Sequence, residues 1–183
     1  LQTGGRACGL PFSLDTNHTA LTENMMATIK EKAIWKFQLF GKAESATRSK
    51  VRSRDVEMII DEPIERGGTN EGPMPVEMVF AGLVGCTHVI SNKLAKANDV
   101  DIVDMEIDVV TTMDSRGTRL IEPIDIPFPD TVLTIRATMD GHQDGIEAVI
   151  HKLKEHCAVS KMLRQSGTIV TENWIVNGQT YIV

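Results

Sequence analysis

The chain has 183 residues, of which 42% are hydrophobic and 24% charged, and a net charge of −6. That length supports one domain with a sizeable core, and the composition is that of a soluble globular protein. The acidic balance speaks against nucleic acid or an anionic membrane as partner. No apolar run stands out as a membrane span, and the basic start and apolar stretch of a secretory leader are missing.

Residues 1–18 are rich in Gly, Ser, Thr and Asn and read as an arm. A helix is expected over about 20–32, so residues 1–33 are taken as an N-terminal arm and helix ahead of a domain over 34–183. Residues 33–41 alternate like a strand. Two more strands are expected near 44–53 and 55–61, making an antiparallel meander. Lys50, Arg52 and Arg54 cluster there, but Asp55 and Glu57 follow at once, which reads as a solvated strand face. Asp61 to Pro75 is dense in Gly, Pro and Asn. Its Gly67-Gly68-Thr69 lacks the Gly-Lys-Ser/Thr ending of a phosphate loop.

Pro75 is placed for the first position of a helix reaching about Asn98. Its apolar residues Val79, Leu83, Cys86, Val89, Ile90 and Leu94 recur at helical spacing, and Gly82 and Gly85 leave room for a close neighbour. A strand is expected over Ile102 to Met113, an irregular excursion over 114–130, and a strand over Thr131 to Met139. A second long helix is expected over Gln143 to about Arg164, closed by Gly167. Strands at Thr168 to Val176 and Thr180 to Val183 flank an Asn177-Gly178 turn. Runs of strands broken by two central helices indicate an α+β fold of antiparallel sheets around two cysteine-bearing helices.

Three cysteines are too few for a disulfide framework and point to a reducing cytoplasm. Cys8 lies in the Gly-rich start and is incidental. Cys86 has apolar neighbours one turn away on either side, as a buried structural cysteine would. To react, its thiolate needs a nearby cation or hydrogen-bond donors, and Arg48, Arg52, Arg54 and Arg66 lie on the preceding strands and loop as candidates. Cys157 is flanked by Lys154, His156 and Lys161, cations able to lower a thiol pKa or simply to be solvated. Glu77, in the first turn of the Cys86 helix, suits the helix N-terminus. It stands nine residues before Cys86 and so on the opposite side of a straight helix. A site shared between two subunits removes that difficulty. Cys86, His88, His156 and Cys157 form a zinc set on paper, but neither pair has the spacing of a zinc site, so no metal is expected.

The run Gly67-Gly68-Thr69-Asn70-Glu71-Gly72-Pro73-Met74-Pro75-Val76-Glu77 leading to Gly85-Cys86-Thr87 resembles the OsmC/Ohr family of osmotically inducible and organic hydroperoxide resistance proteins. His156-Cys157-Ala158-Val159-Ser160-Lys161 followed by Gly167-Thr168 resembles the family's second cysteine motif, with Ala158 where the family carries proline. The likeness covers about residues 34–183 and is nearer the broader OsmC-like branch than the Ohr branch. It implies an OsmC-like fold, an intertwined homodimer, and a peroxidase needing no cofactor. Cys86 would attack an organic hydroperoxide, Cys157 would close a Cys86–Cys157 disulfide, and an external dithiol would reset it. Glu77 matches the glutamate that positions an arginine. Arg48 is the first choice for that arginine and Arg52 the next. A dimer that binds a hydrophobic ligand without turnover, and a thiol redox sensor, are the other two readings.

Overall fold

The computed structural model describes residues 33–183. The expected arm, its helix and Cys8 lie outside them, save Ala33. The chain divides at Leu39. Before it, residues 33–38 carry no helix or strand, and the Trp35 and Phe37 rings lie 6.3 Å apart, tilted by 40°.

From Leu39 on, β1 (Leu39–Ala43), β2 (Ser49–Ser53) and β3 (Val56–Ile60) form the expected antiparallel meander. The strand expected over 33–41 starts only at Leu39. Leu39 pairs with Ser53, the end of β2. β2 starts late because the Ser45 hydroxyl accepts the N–H groups of Thr47 (3.2 Å) and Arg48 (3.0 Å), which turns the chain. Lys50 pairs with Glu57 at 2.8 Å, the solvated strand face expected.

Helix α1 (Pro75–Ala97) has Pro75 at its first position, as read. Strand β4 (Asp101–Thr111) and strand β5 (Asp130–Asp140) pair antiparallel, and β6 (Ile169–Val176) pairs antiparallel with β7 (Gln179–Ile182). Asn177 and Gly178 make the hairpin turn with φ of 51° and 83°. The four strands lie in the order β4-β5-β6-β7, and β5 and β6 run parallel. That corrects the all-antiparallel expectation. The helical segment between β5 and β6 is long enough to carry the chain back to the starting end, which a tight turn cannot do.

The second long helix is also corrected. It is two helices, α2 (Gln143–His156) and α3 (Ala158–Gln165), and Cys157 stands between them at ψ 106°. Gly167, φ 95°, follows the end of α3. One face of β5 (Leu133, Ile135, Ala137, Met139) and of β6 (Val170, Trp174, Val176) meets Ile146, Val149, Ile150 and Leu153 of α2 to form the core. Leu83 and Phe80 of α1 join it, with Phe80 edge-on to Phe128 at 5.1 Å between ring centres.

α1 is apolar beyond what this core uses. Its 23 residues are long and apolar enough to cross a membrane by length and composition, contrary to the expectation that no run is. It contacts α2, α3 and β4, so it is also a core helix. Its other side is uncovered in the single chain. Val79 and Val89 are exposed, and a Cβ built on Gly82 or Gly85 meets nothing within 4 Å.

Candidate active site

The site begins in the loop between β3 and α1. Asp61 is fully buried and accepts three hydrogen bonds: from Thr69 Oγ1 (2.5 Å), Thr69 N (2.8 Å) and Glu62 N (2.9 Å). These hold its carboxyl well below the usual carboxylate range, the Thr69 hydroxyl doing most. The loop closes on itself through Asp61 N to Pro73 O and Asn70 N to Glu62 O, each 3.1 Å. A Cβ at Gly68 would stand 1.8 Å from Glu62 O, so only glycine allows this approach.

The loop delivers Met74 as the cap of α1. Glu77 Oε2 accepts the Met74 N–H at 2.8 Å, which is the helix-start role its position suggested. Arg66 Nη1 donates to Met74 Sδ at 3.7 Å and lies 3.6 Å from Glu62. Arg48 Nη1 pairs with Glu71, and its Nε lies 3.1 Å from Glu44. Arg52 is exposed on β2, and Arg54 is exposed in the β2–β3 turn at φ 58°. Among the described residues none of these four arginines pairs with Glu77.

Cys86 is half-buried near the middle of α1, and Cys157 is fully buried at the α2–α3 break. Both are free thiols, and their side chains meet. The break explains the setting of Cys157. As the N-cap of α3, it makes no side-chain cap hydrogen bond, though the nearby backbone N–H groups of Ser160 and Val159 favour its thiolate. Burial outweighs them and pushes the thiol up to about 11, with the Cys86 side chain adding to the rise. The flanking cations, considered as thiolate stabilisers in the sequence, do not govern it. His156 and Lys154 are exposed, and Lys161 Nζ donates to Glu155 O at 3.4 Å.

A partly buried polar cluster joins α3 to β6. Arg164 on α3 donates from Nε to Ser160 Oγ (3.4 Å) and from Nη2 to Glu172 Oε1 (3.1 Å). Glu172, on β6, is fully buried. Sequence reasoning missed Asp61, Glu71 and this pair. The signal for Glu172 was a lone acid on the inward-facing register of an otherwise apolar strand.

A family model for OsmC-like proteins matches residues 68–173. No curated protein matches the sequence. Among solved structures, an OsmC-like protein from Mycoplasma pneumoniae matches with a TM-score of 0.66 at 16% identity, covering 78% of this chain and 97% of its own. An organic hydroperoxide resistance protein from Legionella pneumophila matches at 0.59 and 18% identity, covering 78% and 98%. One from Elizabethkingia anophelis matches at 0.55 and 18%, covering 81% and 100%. At such identities the likeness shows a shared fold.

Proposed function

The chain belongs to the OsmC-like family, and on that premise we propose that it is a cytoplasmic, dithiol-dependent peroxidase acting on organic hydroperoxides. The observation that carries this reading is the meeting of Cys86 and Cys157, two free thiols brought together from separate helices with unequal surroundings. The inequality supports giving Cys86 the first role and Cys157 the second. A thiol held near 11 by burial is almost wholly protonated at neutral pH and is a poor first nucleophile. The half-buried Cys86 is reached from outside first.

In the proposed cycle the Cys86 thiolate attacks one peroxide oxygen. The O–O bond breaks, the alkoxide leaves and takes a proton as the alcohol, and Cys86 becomes a sulfenic acid. The Cys157 sulfur then attacks the Cys86 sulfur. The S–S bond forms, and the hydroxide leaves as water with the Cys157 proton. An external dithiol reduces the disulfide by two exchange steps. Arg48, whose partners within this chain are Glu71 and Glu44, is taken as the cation that favours the Cys86 thiolate, and Glu77, which caps α1 here, as the group that would position it from the second copy of a dimer.

We also propose that the working unit is a homodimer. The bare Gly82–Gly85 side of α1 and the exposed Leu39, Phe40 and Val56 of the three-stranded sheet are apolar surface suited to a second copy.

The test is a dithiol-coupled assay with cumene hydroperoxide and with hydrogen peroxide, on wild type and Cys86→Ser. Turnover with the organic peroxide that disappears in the variant supports the reading. A wild-type protein with reduced thiols and no turnover overturns it.

A further inference from the structure

Asp61 is a fully buried acid with no part in the cycle above. A charge buried there is kept by its donors, and two of the three come from Thr69, through N at 2.8 Å and Oγ1 at 2.5 Å. The segment around Thr69 is pinned on both sides of Glu71. Asn70 N donates to Glu62 O and Asp61 N to Pro73 O, each at 3.1 Å, and Gly72 lies so close to β3 that a Cβ there would stand 2.3 Å from Ile59 O. Glu71 is therefore bracketed by fixed backbone, and its carboxylate pairs with Arg48 Nη1. The Arg48 backbone is fixed separately by the β1–β2 turn. Its N–H donates to Ser45 Oγ at 3.0 Å, and its carbonyl accepts from Glu44 N (2.9 Å) and Ser45 N (3.2 Å). Glu44, in that same turn, lies 3.1 Å from Arg48 Nε, but this buried Nε has no well-formed hydrogen bond. Glu71 is thus the ion-pair partner that Arg48 finds outside its own turn, while Glu77 is engaged at Met74 N.

We propose that Asp61 is a positioning residue for Arg48: through Thr69 it fixes the loop so that Glu71 holds the guanidinium in place within one chain. The proposal rests on Arg48 being the cation of the proposed cycle. The Arg48 and Glu71 side chains are 28% and 54% exposed, so on a loose loop their pair would supply little. A pinned loop removes the entropy of finding the partner, which is what weakens an exposed ion pair. An arginine held in advance needs no reordering when charge develops beside it.

The experiment reads Arg48 itself in the full chain, through its Nε–H signal in nitrogen–proton NMR spectra, identified by its loss in Arg48→Lys. Exchange of this proton with solvent reports how firmly the guanidinium is held. Asp61→Asn and Glu71→Gln are each expected to speed exchange about fivefold, the upper end of what a partly exposed ion pair supplies. Thr69→Ser keeps the hydroxyl and is expected to stay within about twofold of wild type. Thr69→Val removes the hydroxyl at nearly the same shape, and takes the place of Asp61→Asn if that variant does not fold. In the Glu71→Gln background Asp61→Asn should add less than about twofold, because it acts through Glu71. A full further effect there would mean that Asp61 only stabilises the fold, and would overturn the proposal. So would unchanged exchange in either single variant. Glu71→Gln is also expected to lower kcat/KM about fivefold with an unchanged urea midpoint; equal or faster turnover would overturn the positioning role. The exchange measurement uses neither peroxide nor thiol. A wild type without turnover therefore removes the cycle, whereas an unmoved Arg48 signal removes the positioning.

Discussion

Filling the bare face of α1 separates a lone protomer from the proposed dimer, because the two give opposite signs. In this chain a Cβ at Gly82 or Gly85 has no atom within 4 Å. Leucine at Gly85 should then gain helix propensity, about 0.7 kcal/mol, and displace nothing. In a dimer packed on this face the same side chain enters a close contact. Overpacking costs about 1–3 kcal/mol per site, and twofold symmetry repeats it, giving about 2–6 kcal/mol per dimer. Leucine is large, so the upper half of that range applies, against a propensity gain of about 1.4 kcal/mol for two copies. Dissociation is the expected result. Sedimentation equilibrium and urea unfolding at several protein concentrations read both quantities. A wild-type monomer would refute the reasoning, as would a Gly85→Leu protein that remains dimeric and is more stable than wild type.

Asp61 gives a pH prediction. Its folded pKa is depressed, so its contribution to stability is full above the unfolded value of about 3.9 and is lost as pH falls below it. Urea midpoints of wild type and Asp61→Asn should differ clearly at neutral pH and converge in acid; a gap that persists undiminished in acid would contradict this. Glu77→Ala should lose about 0.5–1 kcal/mol through the open Met74 N–H, whereas Glu77→Gln keeps an oxygen acceptor and most of the stability. Loss of peroxidase turnover in the stable glutamine variant would mark the charge as functional, and retention would leave only the cap. Cys157→Ser should let a sulfenic acid accumulate on Cys86, trapped by a dione reagent, with turnover falling at least tenfold, roughly the size of a lost resolving step; unchanged turnover would remove Cys157 from the cycle. Leu153→Ala, at a fully buried position of α2, should cost about 2–5 kcal/mol in chemical unfolding.

Local signals in the sequence determined much of this molecule. Pro75 starts α1, Gly167 follows the end of α3, and Asn177-Gly178 turns the last hairpin, because each needs only its own backbone preference. The alternation of β4 to β6 was legible for the same reason. The two cysteine motifs carry the family likeness in the sequence itself. What the sequence left open depends on partners far along the chain. The parallel pairing of β5 with β6 is decided by where the helical crossover returns the chain, and the start of β1 by where β2 ends. The break at Cys157 was hidden because Ala158 continues the helical pattern where a proline would have announced the stop. Arg164 finds its carboxylate on another element, and burial rather than the neighbouring cations sets the Cys157 thiol. Electrostatics acts through space and through solvent exclusion, and sequence distance carries neither.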